Sequence, residues 1–214
     1  MRHGHLLLIV TIALLSACKK EKDEAPAPPA GGGSTGTLTS ATVPAVQMTI
    51  DGSAFSFAEG GAFGAFADNS LDPATPPVAS TAQYGFIMHA LPDPADLVFG
   101  VNLGFFNFQG SAPTDTQFFG FFPTGPVTYG DTETYEDLAM ITWWDEAGQE
   151  WSTFWGEDQT GSSFNIVETL SLPDPGSSSI LVRATFTCKL YHDSENGQFK
   201  RVTNGTGVFR FEKN

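Results

Sequence analysis

The strongest constraint on the fold is a two-residue alternation that runs from Ile180 to Tyr191. Every second side chain is apolar, and most of the side chains between them are polar or charged. Successive side chains of an extended strand point to opposite faces, so this pattern predicts a β-strand with one buried face. Asn196-Gly197 is predicted to turn the chain into a final strand that buries Phe209 and Phe211. The apolar positions of the alternation are Val182, Ala184, Phe186, Cys188 and Leu190.

Similar short patterns recur along the chain, and Gly, Pro, Asn or Asp separates them. The first strand, Val46–Ile50, is predicted to turn at Asp51-Gly52 into a second, Ala54–Ala58. No window of a dozen residues has a helical period, although residues 135–141 have room for one or two helical turns. Further strands are predicted at Gln83–Leu91, Leu97–Phe108 and Gln117–Phe122. About nine or ten short strands favour an all-β fold, a single antiparallel β-sandwich with a β-barrel as the alternative.

Two runs rich in phenylalanine, at residues 105–108 and 118–122, place aromatic side chains on both faces of predicted strands. Central strands that are covered on both sides would have this composition. The alternative is that one face docks another subunit or an envelope protein.

The first 17 residues have the features of a bacterial lipoprotein signal peptide. A short basic start is followed by about ten apolar residues and then by the small pair Ser16-Ala17. The apolar run is too short to cross a bilayer, which takes about 20 residues. Leu15-Ser16-Ala17-Cys18 resembles the lipobox of bacterial lipoproteins. This resemblance implies that Cys18 carries lipid and becomes the first residue of the mature protein.

Residues 18–44 are predicted to form a flexible linker ahead of a domain at residues 45–214. The first half of the linker is rich in Pro and the second half in Gly, Ser and Thr, a composition that does not build a core. Lys19 after the lipidated cysteine resembles the outer-membrane address of Gram-negative lipoproteins. The charged run at 19–24 resembles the export signals of Bacteroidetes surface lipoproteins. We therefore expect the lipid to anchor the protein in the outer membrane. A further expectation, from the charged run at 19–24, is that the domain is exposed at the cell surface.

The charge distribution excludes one class of partner. From Asp23 to Val182 the chain has no Lys or Arg and 20 Asp and Glu residues. A surface of this sign repels phosphate backbones, so nucleic acid is excluded as a partner. The same surface is compatible with divalent cations, cationic partners or neutral sugars.

Acidic residues and tryptophans concentrate between Asp131 and Asp158, which span nine acids and all four tryptophans. The pattern predicts a hairpin in which Ala139–Trp144 pairs with Glu150–Trp155. On such a hairpin Trp143 and Trp144 point to opposite faces because they are adjacent, whereas Trp151 and Trp155 share a face.

An exposed indole beside carboxylates is an arrangement that binds sugars. The ring stacks on the C–H face of a pyranose, and carboxylates accept hydrogen bonds from its hydroxyl groups. The alternative is that the tryptophans pack across strands and the acids keep the surface soluble. The candidate ligand-binding residues are Trp143, Trp144, Trp151, Trp155, Glu136 and Glu150.

Calcium is an alternative ligand, because the same stretch is rich in carboxylate oxygens. The chain has no EF-hand calcium loop, and the nearest segment, residues 193–197, is better explained as a hairpin turn. No cofactor and no metal ligand are therefore assigned.

Enzymatic activity is not expected. Glycoside hydrolysis is the alternative, since Glu136 and Glu150 could supply the two carboxylates about 5–10 Å apart that it needs. Downstream of Cys18 only His89 and His192 are available for a histidine-based triad or zinc site, and no G-x-S-x-G motif is present. Cys188 lies on the apolar face of its strand and is expected to be an unreactive core thiol. No catalytic residue is assigned.

Three segments of the C-terminal half resemble a family of small Bacteroidetes outer-membrane lipoproteins of unknown function. They are residues 161–166, 184–187 and 202–209. Arg183-Ala184 stands where that family usually has Gly, and Gly207-Val208 adds residues before the final Phe. The resemblance implies a β-sandwich-like domain and no catalytic residues. The expected role is a non-enzymatic binding or structural module, with a glycan or an envelope protein as its partner.

Overall fold

The computed structural model describes residues 36–130, 138–156, 158–192 and 197–213. Within these ranges the chain is all-β, as predicted. A short helix, α1 (Asp115–Gly120), precedes the sixth strand, and a 3-10 turn at Thr153–Trp155 follows the eighth. The strands are β1 (Ala45–Ile50), β2 (Ser53–Ala58), β3 (Phe63–Asp72), β4 (Ser80–Ala90), β5 (Leu97–Phe108), β6 (Gly125–Tyr129), β7 (Leu138–Trp144), β8 (Glu150–Ser152), β9 (Ser163–Leu172), β10 (Ser179–Tyr191) and β11 (Phe199–Glu212).

The strands hydrogen-bond in the order β2-β1-β11-β10-β9-β6-β7-β5-β4-β3, and β8 pairs with both β7 and β10. The two halves of this sheet pack against each other, because Phe99 on β5 contacts Phe186 on β10 and Phe209 on β11. The result is the sandwich- or barrel-like arrangement predicted. The sheet is mixed, however, because β6 enters between β9 and β7 and runs parallel to β7 at Thr128↔Leu138.

The strand pairings of the two hairpins predicted at the ends of the domain are confirmed, while Asn196 of the second predicted turn lies outside the described residues. The turn between β1 and β2 has positive φ at both central residues, 48° at Asp51 and 88° at Gly52, as a two-residue type I′ turn requires. β10 pairs with β11 along nearly its whole length. Phe209 and Phe211 are fully buried on β11, as predicted for the last strand.

The strand predicted at Gln117–Phe122 is wrong, because this segment begins in helix α1. Thr114 caps the helix: its hydroxyl accepts from the Gln117 N–H, and the Gln117 side chain accepts from the Thr114 N–H. Phe118 and Phe122, four residues apart, both pack on Tyr84, with ring centroids 4.9 and 5.8 Å away. Local capping and this pair of buried rings favour the helical turn.

None of the described helical segments has the length and apolar character to span a bilayer.

A second apolar cluster shows that packing begins before residue 45. Leu38 is 5% exposed and packs against Leu181 and Val208, which face away from the main core. Its N–H donates a hydrogen bond of 2.8 Å to Glu168 Oε1. The prediction that residues 18–44 build no core therefore fails at Leu38.

Candidate functional site

The predicted hairpin is present as β7 and β8, with Trp143 opposite Trp151 and Trp144 opposite Glu150. Asp145 holds its turn together. Asp145 Oδ1 accepts 3.0 Å hydrogen bonds from the N–H groups of Ala147 and Gln149, and Oδ2 accepts one of 3.2 Å from the Trp151 indole. The turn that follows Trp144 is therefore tightly fixed.

Two of the four tryptophans lie on the inner face of the hairpin. Trp143 is 6% exposed, and its ring lies 5.4 Å from that of Phe55. Trp151 is covered by Lys200, whose Nζ lies 4.3 Å from the ring centroid, and by the His192 ring at 5.4 Å. Trp143 is therefore part of the packed interior, whereas Trp151 is partly buried against it beneath Lys200 and His192.

Trp144 lies on the outer face, as the opposite orientation of adjacent residues predicted. Its six-membered ring lies over Gly100 on β5, where an added Cβ would be 3.6 Å from two ring carbons. The contact with Gly100 covers one part of the half-buried indole, and another part of it remains accessible.

A cleft of about 540 Å³ opens beside Trp144, between the β4–β5 and β7–β8 connections. Its volume lies within the range of small-ligand sites. Asp145 contributes to the lining but is engaged by the turn, whereas Asp96 and Glu146 are exposed. The lining residues are Ala90, Ala95, Asp96, Leu97, Val98, Trp144, Asp145, Glu146 and Gly148. The cleft thus combines an aromatic wall with carboxylates that can accept hydrogen bonds.

The prediction that Trp155 shares a face with Trp151 is wrong. β8 ends at Ser152, whose hydroxyl accepts from the Phe154 N–H and caps the 3-10 turn. The turn breaks the two-residue alternation before Trp155 is reached. Trp155 is 41% exposed, and its indole N–H donates a 3.1 Å hydrogen bond to Glu150 Oε1. Trp144, Glu150 and Trp155 are therefore brought together, which the alternation alone did not predict.

Three of the predicted features involve residues outside the described ranges: the lipidation site at Cys18, the carboxylate pair that includes Glu136, and the segment nearest to a calcium loop, residues 193–196. Among the described residues, no group of three or more His, Cys, Asp or Glu is arranged to hold a metal ion. Cys188 is buried, and this burial raises the pKa of its thiol well above the usual range.

Asp145 gives the hairpin a pH dependence. Burial opposes ionisation of its carboxyl group, but hydrogen bonds from Gln149, Trp151 and Ala147 and the charge of Lys200 together lower its pKa. A carboxylate with a lowered folded-state pKa stabilises the fold above the unfolded-state pKa of about 3.9, and this contribution is lost as the pH falls through the folded-state pKa.

We expect Asp145→Asn to lower the midpoint of thermal unfolding most at pH 7 and progressively less as the pH is lowered below about 3.9, as followed by tryptophan fluorescence. Glu146→Gln, on the exposed neighbour, is the matched control and should leave the midpoint nearly unchanged over the same pH range. An Asp145→Asn difference that does not change with pH would show that the carboxylate charge is unimportant.

Comparison with known proteins finds no family model that matches the chain, and no match among curated proteins or solved structures. Three contributors to the candidate site, Asp96, Gly100 and Lys200, were not identified from the sequence. They reach the hairpin through pairing or packing between distant segments, which leaves no local signal.

Proposed function

We propose that this protein is a lipid-anchored, non-enzymatic binding module of the outer membrane that binds carbohydrate against Trp144. The observation that carries the proposal is the accessible indole of Trp144, which is seated on Gly100 and walls a cleft with Asp96 and Glu146 at its rim. A sugar ring would stack on the indole, and the two carboxylates would accept hydrogen bonds from its hydroxyl groups.

The anchoring part of the proposal is supported by the sequence before the domain. The lipobox-like Leu15-Ser16-Ala17-Cys18 supplies the cysteine for acylation, and Lys19 supports an outer-membrane address. Attachment by several acyl chains is stable, unlike attachment by one. In this arrangement the domain meets glycans close to the membrane, and cell-surface exposure would give it access to external polysaccharides.

Titration of the mature lipoprotein in detergent with a panel of neutral oligosaccharides tests the proposal through tryptophan fluorescence. We expect a saturable change for at least one oligosaccharide. Trp144→Ala should lower that affinity by about tenfold or more, because the stacking surface, worth about 1.4 kcal/mol or more, is removed.

Phe199→Ala is the matched control, because Phe199 is also an exposed aromatic residue, 42% accessible, outside the cleft. It should bind as the unmodified protein does. Absence of a saturable change across the whole panel, or equal affinities for Trp144→Ala and the unmodified protein, would contradict the proposal.

A further inference from the structure

A second accessible indole lies on the same side of the hairpin as Trp144. Trp144 and Glu150 are direct cross-strand partners, so their side chains share the outer face. Glu150 Oε1 in turn accepts the indole N–H of Trp155 at 3.1 Å. Glu150 therefore links the two indoles: it neighbours Trp144 across the strands and accepts the hydrogen bond of Trp155.

The orientation of Trp155 is set by its contacts. The hydrogen bond to Glu150 holds one edge of the indole, and the Phe154 ring packs against it in an edge-to-face arrangement, with centroids 4.9 Å apart. With 41% of its surface exposed, Trp155 keeps a large accessible area on a fixed ring. A fixed aromatic surface loses little conformational freedom when a ligand stacks on it.

Glu150 can also take part in binding. In the part of the chain that the structure describes, the only side-chain hydrogen bond of its carboxylate is to Trp155, through Oε1. Its second oxygen is thus able to accept from a hydroxyl group of a ligand that passes between the two indoles.

We infer that Trp155 and Glu150 form a second sugar-binding subsite, and that the ligand is a neutral oligosaccharide chain rather than a single sugar. This inference rests on the proposed function, because the first subsite is Trp144 and its cleft. The ligand is neutral because Glu150, Asp96 and Glu146 all present negative charge, which disfavours a carboxylated or sulfated chain. The two aromatic surfaces act on one molecule, so affinity increases with chain length.

A chain-length series tests the inference. The mature lipoprotein is titrated with glucose, cellobiose, cellotetraose and cellohexaose, and with the corresponding chito- and laminari-oligosaccharides. For the series that binds, we expect affinity to rise by about tenfold or more between the disaccharide and the hexasaccharide. Trp155→Ala should abolish this rise and leave the disaccharide affinity nearly unchanged, whereas Trp144→Ala should weaken binding at every length.

Glu150→Gln keeps an acceptor for the Trp155 indole but removes the charge, so it should retain part of the increase with length. Phe199→Ala is again the matched control and should behave as the unmodified protein does. Equal length dependence in Trp155→Ala and the unmodified protein would overturn the second subsite while leaving Trp144 as a binding residue. Failure of every series to bind the unmodified protein would overturn the proposed function as well.

Discussion

Replacing Cys18 with alanine is expected to release the protein almost completely from the membrane fraction and to abolish its labelling by a palmitate analogue. The thiol of Cys18 is the proposed attachment point of the lipid, and stable anchoring requires more than one acyl chain. Cell fractionation followed by immunoblotting measures the release, and metabolic labelling measures the acylation.

Cys188→Ala provides the matched control, since Cys188 is the other cysteine of the chain and is buried on β10. This variant should remain in the membrane fraction and keep its label. A Cys18→Ala protein that stays in the membrane and is processed at the same point would refute the proposed anchor.

Phe209→Ala is expected to lower the free energy of unfolding by about 3–5 kcal/mol, the usual cost of emptying a fully buried phenylalanine site. Phe209 has no exposed surface, and its ring lies 5.6 Å from that of Phe86 and 6.2 Å from that of Phe99. These contacts join β11 to β4 and β5, so the cavity would open between the two halves of the sheet. Urea denaturation of the mature protein measures the loss.

Phe199→Ala is the natural comparison, because Phe199 is on the same strand but 42% exposed. It should cost less than about 1 kcal/mol, as surface substitutions usually do. Similar losses for both variants would mean that Phe209 does not join the two halves as described.

Alternation predicted the strands whose buried face is long and uninterrupted. In β10 the positions Val182, Ala184, Phe186, Cys188 and Leu190 are all buried, as expected. The hairpin of β7 and β8 was also predictable, because the polar turn after Trp144 separates two apolar segments. These features depend on residues that are close in the sequence.

Helix α1 and the placement of Trp155 were not predicted. A helix of six residues is too short to show a period, and its signals were local ones, the Thr114–Gln117 capping pair and the spacing of Phe118 and Phe122. The alternation was extended to Trp155 although β8 ends at Ser152. A short helical turn can interrupt a strand without any change in amino-acid composition, so composition did not predict these two turns.

The candidate site was predicted in part. Its hairpin and its outward tryptophan follow from the sequence, but the choice among the four tryptophans does not. Lys200 covers Trp151 from β11, and Trp144 packs against Gly100 of β5. Such contacts depend on which distant strands become neighbours, and that information is absent from the local pattern.

The packing of Leu38 against Leu181 and Val208 affects the distance that the domain could reach from the proposed anchor. If Cys18 is fixed in the membrane, the predicted linker reaches the domain at Leu38, 20 residues along the chain, rather than at residue 44. Its fully stretched length is then about 70 Å instead of about 90 Å. The volume within reach scales as the cube of this radius and falls to roughly half. One buried leucine would therefore keep the proposed sugar-binding face closer to the proposed anchor.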